Sequence, residues 1–469
     1  MIAVRLALLL ASLATATATS HEKSLDLTRL AREGKVELAQ SASKVTLGNL
    51  TSYAGFVETT PGKHLYMWYF PAQNGDPDAP LLIWLQGGPG GSSLFGLFAE
   101  MGPFSIDENL ELVQRPTTWN KEYGMLFIDN PVGAGFSYPD DLETGFCNNT
   151  KVCVADNLYW LLQSFYAMFP SQSTNPLFIT GESYGGHYVP AFAYRVHESN
   201  AALARGARVR RAYHMNPEAV KVPLKGIAVG DGWIDPVNMI GGYPEMMFNF
   251  GLADENQKAV IQRYCDDAVA LIKAGKMEAA FRVWDEMLNG DLYPYANYFH
   301  NITGSNDYDN FLRTNAPASF GRYAAYVDKA DVRAAMHTGN VPFGKLAVKC
   351  EMNLVADFHV SFADELVALL ESSLYRIVIY SGQLDVIIGA PLTERFLNVL
   401  PWSGLSAYHT AERKIWKDAS LEDPVSGYVR SVGNFSQVII RGAGHIAPAD
   451  QPERTVDMIK RMVSGAMWE

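Results

Sequence analysis

Cysteines are scarce in this chain of 469 residues, which contains 4 of them. Neither a Cys-x-x-Cys nor a His-Glu-x-x-His pattern occurs, so the common spacings of zinc ligands are missing and no metal site is predicted. No segment of roughly twenty to fifty residues recurs, which argues against a solenoid or a propeller. After the amino-terminal segment, no stretch reaches about eighteen uninterrupted apolar residues, so no membrane insertion is predicted.

Positive charge is also in short supply. The chain has 38 Lys and Arg against 50 Asp and Glu, a net charge of -12, which disfavours nucleic acid and anionic membranes as partners. Apolar residues make up 48% and charged residues 19%, which is ordinary globular usage and excludes disordered, fibrous and coiled-coil proteins. The composition therefore predicts a soluble, folded protein with a sizeable core.

The amino-terminal segment predicts entry into the secretory pathway. An apolar run covers residues 6–14 after Arg5, and Ala16-Thr17-Ala18 supplies the small-x-small pattern that precedes cleavage. The alternative is a membrane anchor, but some nine apolar residues at 1.5 Å each fall short of about 30 Å of hydrocarbon. We predict that residues 1–18 are a cleaved signal peptide and that the mature protein is secreted or lysosomal or vacuolar.

An oxidising compartment changes what the cysteines are expected to do. There they should form disulfides, and the short spacing favours a local loop between Cys147 and Cys153. This leaves Cys265 to pair with Cys350. Sequons of the form Asn-x-Ser/Thr predict glycosylated surface positions at Asn49, Asn148, Asn301 and Asn434.

Six short apolar runs have the pattern of strands that are buried on both faces. They cover residues 81–85, 125–128, 177–179, 227–229, 377–380 and 438–440. Helical stretches separate several of them, which favours an α/β fold with a mostly parallel sheet. The strand signal disappears from 241 to about 340, where apolar residues take helical spacing. We predict a core in two parts, residues 19–240 and 341–469, with a helical cap at 241–340 between them.

A candidate nucleophile lies where one of these strands ends. Gly181-Glu182-Ser183-Tyr184-Gly185 follows the run 177–179 and precedes a helical stretch, the context of the nucleophile elbow in the α/β-hydrolase fold. The glycines let the backbone turn tightly and present the Ser183 hydroxyl. A serine hydroxyl is a weak nucleophile, so it needs a base with an orienting partner.

The partners of Ser183 are expected beyond later strands, in the order acid and then His. Asp385 follows the run 377–380 and His445 follows the run 438–440. In this arrangement His445 takes the proton of Ser183, and Asp385 fixes its tautomer. His187 is the alternative base, disfavoured because it lies in the helix that follows Ser183.

The tetrahedral intermediate of such a reaction needs two N–H donors for its oxyanion. One is the backbone N–H of Tyr184, directly after the nucleophile. The other comes from the glycine-rich turn after the first buried strand, at Gly88. A phosphate-binding loop is the alternative for this turn, but the Gly-Lys-Ser/Thr ending is absent.

Three blocks of sequence closely resemble the serine carboxypeptidase family. They are Trp84-Leu85-Gln86-Gly87-Gly88-Pro89-Gly90-Gly91-Ser92-Ser93, Gly181-Glu182-Ser183-Tyr184-Gly185-Gly186-His187-Tyr188-Val189-Pro190 and Gly442-Ala443-Gly444-His445-Ile446-Ala447-Pro448-Ala449-Asp450-Gln451-Pro452. The resemblance spans roughly residues 45–468. Most of the family has Asn and Cys where Gln86 and Gly91 stand, and the Gln and Gly version resembles the vitellogenic-like subgroup. Without a cysteine at Gly91 the family disulfide from this loop is impossible, so Cys350 pairs elsewhere or stays free.

The resemblance implies removal of the last residue from peptides through an acyl-enzyme, without a metal or organic cofactor. Gln86, Gly87 and Glu182 occupy the family's positions for binding the terminal carboxylate of the substrate, with Glu100 behind them. A carboxylate next to Glu182 is tolerable only if one of the pair carries a proton, which implies an acid peptidase. Two alternatives remain open: an acyltransferase or esterase on the same scaffold, and a non-catalytic secreted storage or partner-stabilising protein. The sequence does not indicate an oligomeric state.

Overall fold

The computed structural model describes residues 23–209, 219–291 and 295–468. The predicted signal peptide, residues 1–18, lies outside these ranges. The described chain forms one large mixed sheet with helices on both faces and a separate small hairpin. None of the described helices is long and apolar enough to cross a membrane.

The large sheet has a parallel centre and antiparallel edges. The strands are β1 (Lys44–Val45), β2 (Ser52–Thr60), β3 (Lys63–Phe70), β4 (Leu81–Leu85), β5 (Phe104–Ile106), β6 (Leu112–Gln114), β7 (Gly124–Ile128), β8 (Tyr138–Pro139), β9 (Leu177–Glu182), β10 (Leu224–Gly230), β11 (Arg376–Gly382), β12 (Lys414–Lys417), β13 (Val425–Val432) and β14 (Phe435–Ile440). Their order is β1-β2-β3-β7-β4-β9-β10-β11-β14-β13-β12, with β8 beside β3, while β5 and β6 form the hairpin. The neighbours from β7 to β14 run parallel, so their carboxyl ends share one edge.

The six predicted apolar runs are the six parallel strands. Strand β4 shows why they are apolar throughout. Leu81, Ile83 and Leu85 pack into the core on one face of the sheet, whereas Leu82 and Trp84 pack into the core on the other. Since successive side chains point to opposite faces, both sides must be apolar.

The helices cover both faces of the sheet. They are α1 (Thr28–Arg32), α2 (Val36–Ser43), α3 (Ala155–Met168), α4 (Gly185–Ala204), α5 (Pro236–Met239), α6 (Tyr243–Asn249), α7 (Glu255–Lys273), α8 (Met277–Trp284), α9 (Tyr298–Thr303), α10 (Arg322–Val327), α11 (Ala330–Ala335), α12 (Ala347–Leu354), α13 (Ala363–Ser372), α14 (Ala390–Leu397), α15 (Leu405–Thr410), α16 (Ala447–Asp450) and α17 (Pro452–Ser464). Three π-helical turns accompany them: Gly96–Glu100, Thr150–Val154 and Asp285–Asn289.

A helical insertion separates β10 from β11. No strand occurs among its described residues, 231–291 and 295–375. Asp254 begins α7 with a capping box that it forms with Gln257, and α8 packs back against α7. Helix α13, near the end of the insertion, packs on α4 beside the sheet. The strandless stretch is thus longer than the predicted cap at 241–340, whose boundaries stay a prediction.

The cysteines only partly follow the expected pairing. The predicted disulfide between Cys147 and Cys153 is confirmed. The predicted pairing of Cys265 with Cys350 is wrong, because both thiols are free. Cys265 is buried in α7 near the sulfur of Met287, whereas Cys350 packs in a separate small apolar cluster with Phe146. The two thiols therefore belong to different packing units.

All four sequon asparagines are exposed in the structure, as surface positions should be. They are Asn49, Asn148, Asn301 and Asn434. Their glycosylation stays a prediction.

Candidate active site

Ser183 occupies a sharp turn between β9 and α4. Its φ of 61° lies in the left-handed region, which few non-glycine residues adopt. The turn is held by the Ser183 N–H, which donates to the carbonyl of Gly230 at 3.0 Å, and by the Ser183 carbonyl, which accepts from Trp233 N at 3.0 Å. The backbone of the neighbouring strand β10 and of the segment that follows it thus fixes the strained residue, as expected for an elbow that presents a side chain.

Glycines allow the loop after β4 to approach this turn. A Cβ atom at Gly87 would lie 2.6 Å from the Cβ atom of Ser183 and 2.7 Å from Tyr184 N. At Gly181, a Cβ atom would lie 2.5 Å from the carbonyl oxygen of Leu85. Since real Cβ atoms do not come this close, only glycine fits at either position. The predicted oxyanion loop and the predicted nucleophile turn are therefore in direct contact.

Asp385 and His445 meet at the carboxyl edge of the neighbouring strands β11 and β14. Asp385 Oδ2 accepts a hydrogen bond from His445 Nδ1 at 2.9 Å, and its Oδ1 accepts from Ile388 N at 3.1 Å. Both side chains are buried. The other ring nitrogen of His445, Nε2, is left for the cavity that Ser183 also lines. The structure thus brings the three predicted residues to one place.

The environment of His445 favours its charged form. Burial alone lowers the pKa of the imidazole, but the negative charge of Asp385 and the hydrogen bond to it raise the pKa to about 9. Asp309 and Glu182 add smaller contributions in the same direction.

The alternative base, His187, is disfavoured by its position. It lies in α4, fully buried, with Nδ1 against the carbonyl oxygen of Trp233 and its ring stacked on Tyr184. Burial lowers the pKa of His187 to about 3. His187 does not line the cavity at Ser183.

The two predicted oxyanion donors face the same cavity. Gly88 and Tyr184 both line it, beside Ser183 and His445. Neither the N–H of Gly88 nor that of Tyr184 donates to an acceptor within the described part of the chain. Both are therefore available to an oxygen atom of a bound substrate.

Glu182 and Glu100 form a buried pair of carboxyl groups next to Ser183. Both are fully buried, and Glu182 Oε1 accepts from Gln86 Nε2 at 2.7 Å. In turn, Gln86 Oε1 accepts from Trp84 Nε1 at 2.9 Å, which fixes the orientation of the amide. No group in the described residues donates to Glu182 Oε2 or to either oxygen of Glu100.

Such a pair must hold a proton. Burial raises the pKa of Glu182 well above its usual value, and the charge of Glu100 adds to the effect. Burial also raises the pKa of Glu100. Two carboxylates cannot hydrogen-bond to each other unless one is protonated, so a shared proton joins Glu182 to Glu100 at neutral pH.

The cavity in front of Ser183 has a volume of about 420 Å³. Gln86, Gly87 and Glu182 line it, while Glu100 lies behind them. The helical insertion contributes much of the remaining wall, through Trp233, Trp284, Asn289, Asp291, Tyr308 and Asp309. These residues were not predicted, because no local pattern connects them with the strand-end motifs. Asp309 also anchors the predicted base, since its carbonyl accepts from His445 N at 2.6 Å.

A second carboxyl group outside the predicted set lies behind the Asp385–His445 pair. Asp231 follows β10 with a φ of 44° and is fully buried. Polar atoms of Asp231, Asp385 and His445 all lie within 4.8 Å of one another. The sequence patterns assign no role to Asp231. Three such side chains can also hold a metal ion, although the Nδ1 atom of His445 is already bonded to Asp385.

The parallel sheet, the strained serine at the carboxyl end of β9 and the acid and histidine beyond β11 and β14 define an α/β-hydrolase. The structure of Kex1(Δ)p, a prohormone-processing carboxypeptidase from Saccharomyces cerevisiae, has the same fold. Its TM-score is 0.76 at 21% identity, with 91% of this chain and 96% of that chain covered. The predicted fold class is confirmed.

The sequence comparisons identify the family. The family model for serine carboxypeptidases matches residues 44–465. A probable serine carboxypeptidase CPVL from Pongo abelii is 42% identical over 450 residues, 95% of this chain and 90% of the relative. The vitellogenic carboxypeptidase of Aedes aegypti is 36% identical over 445 residues, 93% of this chain and 88% of the relative. The chain belongs to the serine carboxypeptidase family, which confirms the resemblance and the predicted class of enzyme.

Proposed function

We propose that this protein releases the carboxy-terminal amino acid from peptides through an acyl-enzyme on Ser183. One observation carries the proposal: Ser183, His445 and Glu182 open onto a single cavity, and Asp385 is hydrogen-bonded to His445 behind it. In the first step His445 Nε2 takes the hydroxyl proton as Ser183 attacks the scissile carbonyl. The N–H groups of Gly88 and Tyr184 stabilise the oxyanion, and the proton passes to the leaving amine.

The free carboxylate belongs to the leaving amino acid of the substrate. It therefore binds on the side of the reacting carbon that lies away from the acyl chain. Gln86 and Gly87 offer donors there, and a protonated Glu182 offers an O–H. The Gln86 amide is fixed by Trp84, so its Nε2 atom points towards Glu182. A peptide amide or an internal peptide bond would leave these donors without a charged partner, which accounts for selectivity for free carboxyl termini.

The same carboxyl groups account for activity at acid pH. Burial raises the pKa of Glu100 to about 8, that of Asp309 to about 6 and that of Glu182 well above its usual value. Acidic conditions thus keep the carboxylate site protonated, so that it does not repel the carboxylate of the substrate.

The proposed setting is the secretory pathway, with the mature protein secreted or lysosomal. The predicted signal peptide, the exposed sequon asparagines and the disulfide between Cys147 and Cys153 support it. The proposed substrates are carboxyl termini of peptides or proteins.

The experiment is release of amino acids from an amino-blocked dipeptide near pH 4.5, comparing wild type with Ser183→Ala. We expect the variant to lose at least about 10⁴-fold in kcat, because without the nucleophile only oxyanion stabilisation and binding remain. The circular dichroism spectrum should stay unchanged. Wild type without activity at any pH from about 4 to 8, even after limited proteolysis, would contradict the proposal. A product that forms only with an added alcohol would indicate the acyltransferase instead.

A further inference from the structure

Only one of the two carboxyl oxygens of Asp231 accepts a hydrogen bond from the described residues. Its Oδ1 atom accepts from Gly382 N at 2.7 Å. The other oxygen, Oδ2, is fully buried, and no N–H or O–H of the described residues donates to it. An ionised carboxylate oxygen left in this way would be costly. The position of Asp231 is itself fixed, because its N–H donates to the carbonyl of Tyr380 at 2.8 Å.

The polar neighbour of Asp231 is the carboxyl group of Asp385. Both oxygens of Asp385 already accept hydrogen bonds, from His445 Nδ1 and from Ile388 N. The remaining titratable groups that influence or face Asp231 are His445, Glu182 and Tyr380, from the ends of β14 and β9 and from β11. No lysine or arginine is among these groups, so two carboxylates here would have only His445 to balance them.

We propose that Asp231 is a positioning residue that stays protonated in the working enzyme and donates its Oδ2–H to the carboxylate of Asp385. Asp385 then carries the single negative charge beside His445. The hydrogen bond from Asp231 keeps the carboxylate of Asp385 in place against the imidazole. Burial and the charge of Asp385 raise the pKa of Asp231 well above its usual value, in accord with this state. The role rests on the proposed function, because it acts through the base of that reaction.

Two variants separate donation from ionisation. Asp231→Asn keeps the shape and offers an N–H in place of the O–H, but it cannot ionise. Asp231→Ala removes the donor. We expect Asp231→Asn to retain kcat within about threefold and Asp231→Ala to lose roughly 10- to 100-fold in kcat with little change in KM, as for a hydrogen bond to a charged group. Asp235→Asn is the matched control, since Asp235 is a buried carboxyl on the same segment that bonds to Asn238.

Infrared difference spectra test the proton directly and need no activity. The spectrum of wild type minus Asp231→Asn at pH 7 should contain the carbonyl band of a protonated carboxylic acid. The spectrum of wild type minus Asp235→Asn should lack that particular band, because Asp231 is present in both proteins. Wild type without peptidase activity would defeat the proposed function, yet this band would still decide the protonation state of Asp231.

Several results would overturn the inference. They are a carboxylate band for Asp231 at pH 7, an Asp231→Asn variant as impaired as Asp231→Ala, and an Asp231→Ala variant with wild-type kcat. Loss of activity on chelation with recovery on added zinc would also overturn it, because a metal ion would then replace the proton between the two carboxyls.

Discussion

At the scale of single residues, the site depends on which carboxyl groups carry protons. Asp385 is the carboxylate hydrogen-bonded to His445, whereas Glu182 and Glu100 are buried against each other without a cation between them. Side chains with the same carboxyl group therefore take different charge states because their neighbours differ. The substrate carboxylate would bind next to the neutral pair of Glu182 and Glu100, whereas the imidazole of His445 lies next to the charged Asp385.

Glu182→Gln tests this division. In wild type KM should rise as pH increases from about 7 through the pKa of about 8 that burial gives Glu100, because the pair at Glu182 and Glu100 then loses its proton and repels the substrate carboxylate. The rise should be roughly tenfold for about 1.4 kcal/mol of repulsion, and less than about threefold in Glu182→Gln. The measurement is KM for a blocked dipeptide across this range.

Glu100→Gln is the matched variant and should flatten the profile of KM in the same way. A substrate whose terminal carboxylate is replaced by an amide should show no such pH dependence in wild type. An undiminished rise of KM in Glu182→Gln would contradict the shared proton.

The sequence predicted residues whose role is carried by local patterns, and it missed those whose role is created by distant neighbours. Ser183, Asp385 and His445 follow buried strands, so their convergence at one edge of a parallel sheet could be foreseen. Asp231 also follows such a strand, but its function depends on a buried contact with Asp385 that no spacing reveals. Asp309 comes from the insertion, far from the strand ends in sequence.

At the scale of elements, the parallel strands were predictable and the antiparallel edges were not. Residues buried on both faces give continuous apolar runs, as in β4 and β7. The antiparallel strand β13, between β14 and the edge strand β12, mixes buried with partly exposed residues and contains Arg430, so it lacks such a run. The parallel strands at the centre of the sheet can be predicted from local apolar runs. The antiparallel strands on either side depend on pairing between segments that are distant in sequence.

The π-helical turn Thr150–Val154 joins the disulfide to the back of the nucleophile helix. Asn149 caps the turn, and the N–H of Thr150 donates to Asp357, which also accepts from the hydroxyl of Tyr184. The disulfide ties Cys147, before this turn, to Cys153 within it, across a sequence separation of 6. Loss of the disulfide should therefore loosen an element that supports Tyr184.

The double variant Cys147→Ala/Cys153→Ala should lose about 2 kcal/mol in free energy of unfolding, the value expected from chain entropy for so short a loop. Urea denaturation in oxidising buffer measures it. Reductant should bring wild type close to the double variant. Cys265→Ala is the control, because Cys265 is a free buried thiol and this variant should keep the full response to reductant. Equal midpoints for wild type and the double variant would contradict the expectation.

At the scale of the whole molecule, two sets of buried groups have opposite effects on the free energy of unfolding as pH falls. Glu100 has a folded pKa of about 8, above the unfolded value, so protonation favours the folded state as pH falls from 8 towards 4.5. His187 and His359 have pKa values lowered by burial to about 3. For them the unfolded state binds protons first, so stability is lost as pH falls from about 6.5 towards 3. The neutral carboxyl pair thus offsets the cost of the buried histidines in the acid range.

His359→Phe tests the contribution of a buried histidine to the pH dependence of the free energy of unfolding, at a position that does not line the cavity. His359 is buried among the aromatic rings of Trp233, Phe281 and Trp284, so a phenyl ring matches its surroundings. Wild type should lose about 2 kcal/mol more free energy of unfolding than His359→Phe between pH 6.5 and pH 5, from 1.36 kcal/mol per pH unit. Urea denaturation at the two pH values measures the difference. His409→Phe, at an exposed histidine, should keep the wild-type dependence. If His359→Phe lost as much stability on acidification as wild type, His359 would not be one of the buried groups that make the folded state sensitive to acid, and the loss in wild type would have to come from other groups.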